Sequence, residues 1–91
     1  IGVLVVDDGS PDDTVPAIRA RYPTIEILQA DGSLWWAGAM ARGIAATAAS
    51  ADFHFWLNDD VRLDPDAVAR LLAIHDESPG AIIVGTTRDP A

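Results

Sequence analysis

The residues best suited to chemistry are three consecutive oxygen donors, Asn58, Asp59 and Asp60, which follow an apolar, aromatic run at residues 53–57. Such a run predicts a buried strand, and open α/β sheets bind their ligands at the carboxyl ends of strands. Two adjacent carboxylates repel each other, and oxygen ligands favour Mg²⁺ or Mn²⁺. The same residue types also suit an ordinary turn. The stretch therefore predicts either a divalent-metal site that uses the two carboxylates or a turn.

A second acidic cluster follows another apolar run. Residues 1–6 are continuously apolar and mostly β-branched, which predicts a strand that is covered on both faces. Asp7 and Asp8 follow at once and open a turn-rich loop, residues 7–13, that holds four carboxylates. Because the carboxyl ends of parallel strands share one edge of a sheet, we expect both acidic clusters to line one crevice. This convergence favours a metal–phosphate site over a turn.

Strand and helix signals alternate along the chain. The predicted strands are residues 1–6, 25–28, 53–57 and 81–85. Strands that alternate with helices through short loops predict an α/β fold with a mostly parallel sheet and right-handed crossovers. With 91 residues, the chain has room for one small domain.

Three helices are predicted between these strands. Asp12 or Asp13 caps the first, which ends before Pro23. The third has the strongest signal, with Asp64 as its cap and Pro65 in its first turn. The apolar faces predicted for the second and third helices are Ala37, Met40, Ala41, Ile44 and Ala48, and Val68, Leu71, Leu72 and His75.

Composition excludes several classes of function. The chain carries 14 Asp and Glu residues against six basic residues, a net charge of −8, which argues against nucleic-acid binding. A diphosphate ligand would be repelled too, unless a bound cation reversed the local field. The chain has no Cys, so it has no disulfides or thiolate metal sites. No apolar run reaches the length of about 20 residues that spans a membrane.

Five motifs in order resemble family 2 glycosyltransferases of the GT-A fold, and the resemblance covers essentially the whole chain. The loop with Trp35 and Trp36 is similar to that of a bacterial branch that includes rhamnosyltransferase-like enzymes. Each motif alone is weak evidence for the resemblance, whereas the set in this order on a βαβ frame is strong evidence. The motifs are VVDDGSPD at 5–12, GSLWWAGAM at 32–40, WLNDDV at 56–61, DPD at 64–66 and IVG at 83–85.

The resemblance implies a truncated GT-A (Rossmann-like) domain over residues 1–91 with a nucleotide-sugar site. Asp8 matches a position that contacts the nucleotide base, with Asp7 beside it. Residues 58–60 occupy the place of the family's Asp-x-Asp motif, and Asn58 replaces its first acid. Asp60 is then the direct ligand of Mg²⁺ or Mn²⁺, and Asp59 contacts the ribose or the metal.

The resemblance also implies a reaction. The parent protein is expected to be a hexosyltransferase-type enzyme that moves a sugar from a nucleotide-diphosphate donor to a saccharide or lipid-linked acceptor, with inversion. Its place would be in bacterial cell-envelope polysaccharide synthesis, in the cytoplasm or at the cytoplasmic face of the membrane. The catalytic base is expected beyond residue 91, and the family's opening strand before residue 1. Residues 1–91 alone are then expected to be inactive, and either to self-associate through unpaired strands or to be only a part of a larger chain.

Two alternatives remain open at this stage. Trp35 and Trp36 either pack at the start of the second helix, with one of them buried, or stack on a sugar or a base. The domain itself has two alternative assignments: an Mg²⁺-dependent phosphoryl-transfer or receiver-like α/β domain, or a non-catalytic interaction module. A receiver-like site would need a Lys beside its acidic pair, and the chain contains none.

Overall fold

A computed structural model describes residues 1–89, which belong to two compact units. The first unit is Ile1–Trp56, and the second begins at Leu57. The elements in chain order are β1 (Leu4–Asp7), α1 (Thr14–Arg21), β2 (Glu26–Gln29), α2 (Trp35–Thr47) and α3 (Ala67–Glu77). The first four elements form the first unit, and α3 lies in the second.

The first unit is a βαβα arrangement around a two-stranded parallel sheet. Strands β1 and β2 pair in parallel, with Leu4 opposite Glu26 and Asp7 opposite Gln29. Helix α1 connects them, as a parallel pair requires. The predicted α/β class is therefore confirmed, and both strands end where their loops begin, at Asp7 and Gln29.

Helix α1 begins and ends as the sequence predicts. The Asp12 carboxylate accepts hydrogen bonds from the backbone N–H of Thr14, at 3.1 Å, and from the Thr14 hydroxyl. These bonds, the hydroxyl first, hold the pKa of Asp12 below its ordinary value. Asp13 occupies the cap position, but its side chain makes no capping bond. Val15 is buried, and the helix stops at Arg21, ahead of Pro23.

Helix α2 packs on β1 through a face that differs from the predicted one. The buried residues are Ala39 and Gly43, whereas Ala37, Ala41 and Ala48 are exposed. A Cβ built at Gly43 would lie 3.3 Å from Cγ2 of Val6, which is tighter than normal contact. The smallest residues therefore face the strand, because only they allow the helix backbone to come this close.

The strands predicted at residues 53–57 and 81–85 are not present, and this part of the prediction is wrong. Within residues 1–89 the sheet contains β1 and β2 only. A β-strand exists through its ladder of hydrogen bonds, and the described residues offer neither segment a neighbouring strand. Both segments keep large apolar side chains in solvent; Phe55 is 50% exposed and Ile82 is 94% exposed.

The first strand is shorter and less covered than expected. It starts at Leu4, and the three residues before it are exposed. Leu4, Val5 and Val6 are only half-buried. The prediction of a strand that is covered on both faces is therefore wrong, since α2 is the helix that packs against it in the first unit.

In the second unit, α3 begins two residues later than predicted. Its cap position is Asp66, not Asp64, and Pro65 lies in a turn before the helix. The Asp64 carboxylate instead accepts hydrogen bonds from Arg70, at 3.1 Å, and from Arg88, at 3.0 and 3.1 Å. A carboxylate that binds two guanidinium groups is not available to cap backbone N–H groups. Of the predicted helix face, Leu72 is 45% exposed.

None of the helices in the described part of the chain is both long enough and apolar enough to cross a membrane.

Candidate functional site

Asp7 and Asp8, at the carboxyl end of β1, make different contacts. Asp7 is buried, with 7% of its surface exposed, and its carboxylate accepts a bond of 3.2 Å from the backbone N–H of Ser10. Its carbonyl oxygen accepts a bond of 2.8 Å from the N–H of Ala30. Asp7 therefore organises the loop after β1 and joins it to the end of β2.

The Asp8 carboxylate bonds three backbone N–H groups of the loop that follows β2. Oδ1 accepts from Gly32 at 2.9 Å, and Oδ2 accepts from Leu34 at 3.0 Å and Trp35 at 2.9 Å. Leu34 and Trp35 begin α2, and the first N–H groups of a helix have no partner within the helix. The side chain of Leu34, in the cap position, makes no capping bond. Asp8 thus supplies from a distant loop the acceptor that this helix end lacks.

Two glycines let these loops approach each other. Gly9 has φ +77°, and a Cβ there would lie 2.9 Å from the backbone nitrogen of Gly32. Gly32 has φ +96°. Within the same loop, the Asp31 carboxylate accepts bonds from the hydroxyl and the N–H of Ser33, which lower the pKa of Asp31. The carboxyl ends of β1 and β2 therefore form one shared, backbone-packed edge.

Trp35 and Trp36 both lie at the surface, so the expectation that one of them is buried is wrong. Trp36 is 55% exposed and meets Trp56 edge to face, with ring centroids 5.7 Å apart. Trp35 is 80% exposed and has φ +56°, a left-handed backbone that costs about 1–2 kcal/mol for a residue with a Cβ. The bond from its N–H to Asp8 helps to hold this conformation.

Asp59 and Asp60 lie in a turn of the second unit. The turn is closed by a 3.4 Å bond from the N–H of Val61 to the carbonyl oxygen of Asn58. Both carboxylates are exposed, and neither forms a hydrogen bond or ion pair with the described residues. Across residues 1–89, no three His, Asp or Glu side chains are grouped so as to hold a metal ion. The expected convergence of this turn with Asp8 stays a prediction.

The chain matches the family described as glycosyl transferase family 2 over residues 1–90. The chain belongs to glycosyl transferase family 2. The family's GT-A α/β fold agrees with the small parallel sheet and flanking helices of the first unit. Nothing in this match favours the phosphoryl-transfer or receiver-like alternative.

Two curated family 2 relatives give a finer comparison. Both are described as N-acetylglucosaminyl-diphospho-decaprenol L-rhamnosyltransferase, from two strains of Mycobacterium tuberculosis, CDC 1551 / Oshkosh and ATCC 25618 / H37Rv. Each is 31% identical over 100 residues, which cover 99% of this chain and 33% of the relative. The chain thus spans about a third of the length of these relatives. No solved structure shows significant similarity to it.

For a family 2 site, the donor set at residues 58–60 fits a hard cation. Asp59 and Asp60 offer carboxylate oxygens that have no partner among residues 1–89 and are open to solvent, as a site for Mg²⁺ or Mn²⁺ requires. Two adjacent carboxylates are too few to fill a coordination shell. Waters and donor phosphate oxygens would therefore have to complete the shell.

Sequence reasoning missed the backbone donors of the site. It singled out Asp8 and Trp35 separately and did not connect them, although they lie 27 residues apart and share a bond. One signal was present, because each acidic loop carries an Asp-Gly-Ser step, at Asp8 and at Asp31. Paired Asp-Gly steps on neighbouring strands predict two tight loops that can pack against each other.

Proposed function

We propose that the whole protein is a glycosyltransferase of the hexosyltransferase type, which moves a sugar from a nucleotide-diphosphate donor to an acceptor hydroxyl with inversion. The observation that carries this proposal is the family 2 match, which runs over residues 1–90. The geometry supports it through the shared edge at the ends of β1 and β2, where α/β folds hold nucleotides.

We place the donor site at this edge. Asp8 and Asp7 are proposed to form the nucleotide-binding site at this edge, and Asp59 is proposed as a further nucleotide-binding residue. Trp35 and Trp36 are proposed to stack on a ring of the donor, because both indole rings are open to solvent. The support for Asp7 is its position, since it is buried at the end of β1 directly beside Asp8.

The proposed metal ligand is Asp60, with Asp59 as a second ligand of Mg²⁺ or Mn²⁺. Asn58 occupies the first position of the Asp-x-Asp motif. Its amide oxygen is a weaker donor for a hard cation than a carboxylate oxygen is. When bound, the cation stabilises the negative charge that develops on the departing diphosphate. With a net charge of −8, the chain itself would repel a diphosphate, which supports a need for the cation.

The proposed acceptor is a saccharide or lipid-linked hydroxyl, in the synthesis of a bacterial cell-envelope polysaccharide. The support is the name of the two relatives, which describes transfer of L-rhamnose to N-acetylglucosaminyl-diphospho-decaprenol. We further propose that the protein acts in the cytoplasm or at the cytoplasmic face of the membrane, and that its catalytic base lies outside residues 1–91. Residues 1–91 alone are therefore expected to transfer no sugar.

Isothermal titration of the whole protein with UDP, GDP and dTDP, with and without Mn²⁺, tests the donor site. We expect Mn²⁺-dependent binding of at least one nucleotide, weakened tenfold or more in Asp60→Ala. The matched control is Asp76→Ala, which removes an exposed carboxylate from α3 in the same unit and should bind as the wild type does. If no nucleotide binds, or if binding ignores Mn²⁺ and Asp60, the proposed function is wrong.

A further inference from the structure

We propose that Asp8 is a positioning residue of the donor site. Through the backbone N–H of Trp35, it holds this residue in a left-handed conformation and presents the indole ring as a stacking surface for a ring of the nucleotide sugar. This inference rests on the proposed function and deepens it, because it gives the carboxylate a role that needs no contact with the ligand.

The first observation is which groups the Asp8 carboxylate faces. Both carboxylate oxygens face protein amides: Oδ1 faces Gly32, and Oδ2 faces Leu34 and Trp35, all at 2.9–3.0 Å. Bonds from N–H groups to an ionised acceptor are stronger than neutral ones, and a negative charge at a helix N-terminus is stabilised further. Asp8 is also half-buried, so water competes less for these donors.

The second observation is the backbone of Trp35. Among the described residues other than glycine, Trp35 alone has a positive φ, at +56°. Strained conformations persist where neighbouring contacts fix them, and they are frequent at ligand sites. The Trp35 N–H bond to Asp8 is such a contact, and the Gly32 and Leu34 bonds fix the chain just before it.

The third observation is where the Trp35 side chain lies. Trp35 is 80% exposed, and no other aromatic ring in the described part of the chain contacts it. Trp36 differs, because its ring packs edge to face on Trp56. An indole that is 80% exposed contributes little to packing, yet its face suits a nucleotide base or the C–H face of a sugar.

A double-mutant cycle on the whole protein tests the proposal. The variants are Asp8→Ala, Trp35→Ala and the double variant, titrated in Mn²⁺ with UDP, GDP and dTDP and with their glucose adducts. Ala has no acceptor, so all three bonds to the Asp8 side chain are lost. Stacking on a base is worth on the order of tenfold in affinity. We expect each single variant to lose about that much, and the double variant to lose no more than the weaker-binding single.

The outcomes separate the alternatives. Losses that multiply in the double variant would mean that Asp8 acts on the ligand without Trp35, and they would overturn the proposal while leaving the proposed function intact. Wild-type protein that binds none of the six ligands would overturn both. A Trp35 effect on the free diphosphates identifies the base as the stacked ring, whereas an effect confined to the glucose adducts identifies the sugar; either result supports the proposal.

Two further measurements guard against a purely structural effect. Hydrogen exchange should show lost protection at the amides of residues 32, 34 and 35 in Asp8→Ala, and unchanged protection there would contradict the proposal. Trp35→Gly removes the ring and relieves the strained φ, so it should fold well and still bind weakly; wild-type affinity in this variant would overturn the proposal even if Asp8→Ala fails to fold. The matched control is Asp12→Ala, whose carboxylate accepts bonds from Thr14 at the start of α1 and from no other described residue, and it should bind normally.

Discussion

At the scale of single residues, the site depends on how closely two loops approach. Gly9 lies against the backbone of Asp31 and Gly32, with positions for an added Cβ only 2.9–3.2 Å from those atoms. No side chain fits there, because the neighbours are backbone atoms that cannot rotate away. This close approach brings the Asp8 carboxylate within bonding distance of the amides that begin α2.

We expect Gly9→Ala to destabilise the chain by about 2 kcal/mol or more, since it adds a backbone clash to a left-handed φ of +77°. Urea unfolding of the variant and the wild type measures the change in free energy. The matched control is Gly32→Ala, where φ is +96° but the nearest atom to an added Cβ is at an ordinary 3.6 Å. Gly32→Ala should lower the free energy of unfolding by less than Gly9→Ala does. Equal losses would show that the left-handed φ destabilises both variants and that the backbone clash at Gly9 adds nothing.

At the scale of elements, the side chain that caps a helix is not always the one that directly precedes it in the sequence. Helix α2 receives its capping carboxylate from Asp8, in the loop after β1. Asp64 lies just before α3 and binds Arg70 and Arg88 instead of capping it. These two arginines hold the pKa of Asp64 below its ordinary value of 3.8, with Arg88 as the larger cause.

Replacing Arg88 by Gln should therefore raise the pKa of Asp64 toward 3.8. Because its folded-state pKa is lowered, Asp64 stabilises the fold above pH ~4 and loses this contribution as pH falls through the folded-state pKa. Carboxyl ¹³C shifts followed with pH in the 91-residue chain measure the change. Arg70→Gln should have the smaller effect, and Arg62→Gln, which removes an Arg that forms no ion pair with Asp64, should have none. An unchanged pKa in Arg88→Gln would contradict the assignment.

At the scale of the whole molecule, apolar surface is more abundant than buried core. Val15 and Ala39 are the buried apolar residues of the described chain. The segment predicted as the third strand is half exposed, and Ile82 and Val84 are almost fully exposed. Strand β1 pairs with β2 alone among residues 1–89. Unpaired strand edges and exposed apolar segments promote association.

We accordingly expect the isolated 91-residue chain to self-associate, and multi-angle light scattering checks the mass. Phe55→Lys should reduce association without loss of core, because Phe55 is 50% exposed. Thr24→Lys, an exposed position outside the apolar segments, is the control for added charge and should associate as before. A wild-type chain that is strictly monomeric would contradict this prediction.

The sequence by itself determined the class of the fold, the family and the positions of the first elements. Hydrophobic runs and turn residues are local signals, so β1, α1 and β2 fall within a few residues of their predicted places. The motifs also placed the first acidic loop at a strand end, where Asp7 and Asp8 are found. A metal at Asp60 and the ligand roles of Asp8 remain predictions.

The tertiary structure alone decided which groups meet. A strand forms only if another strand pairs with it, so the apolar run at 53–57 does not become one here. The face of α2 is set by how closely its backbone approaches β1, which selects Gly43 and Ala39 over the predicted alanines. The bond from Asp8 to Trp35 joins residues that are 27 positions apart. Each depends on contacts between distant segments, which no local pattern specifies.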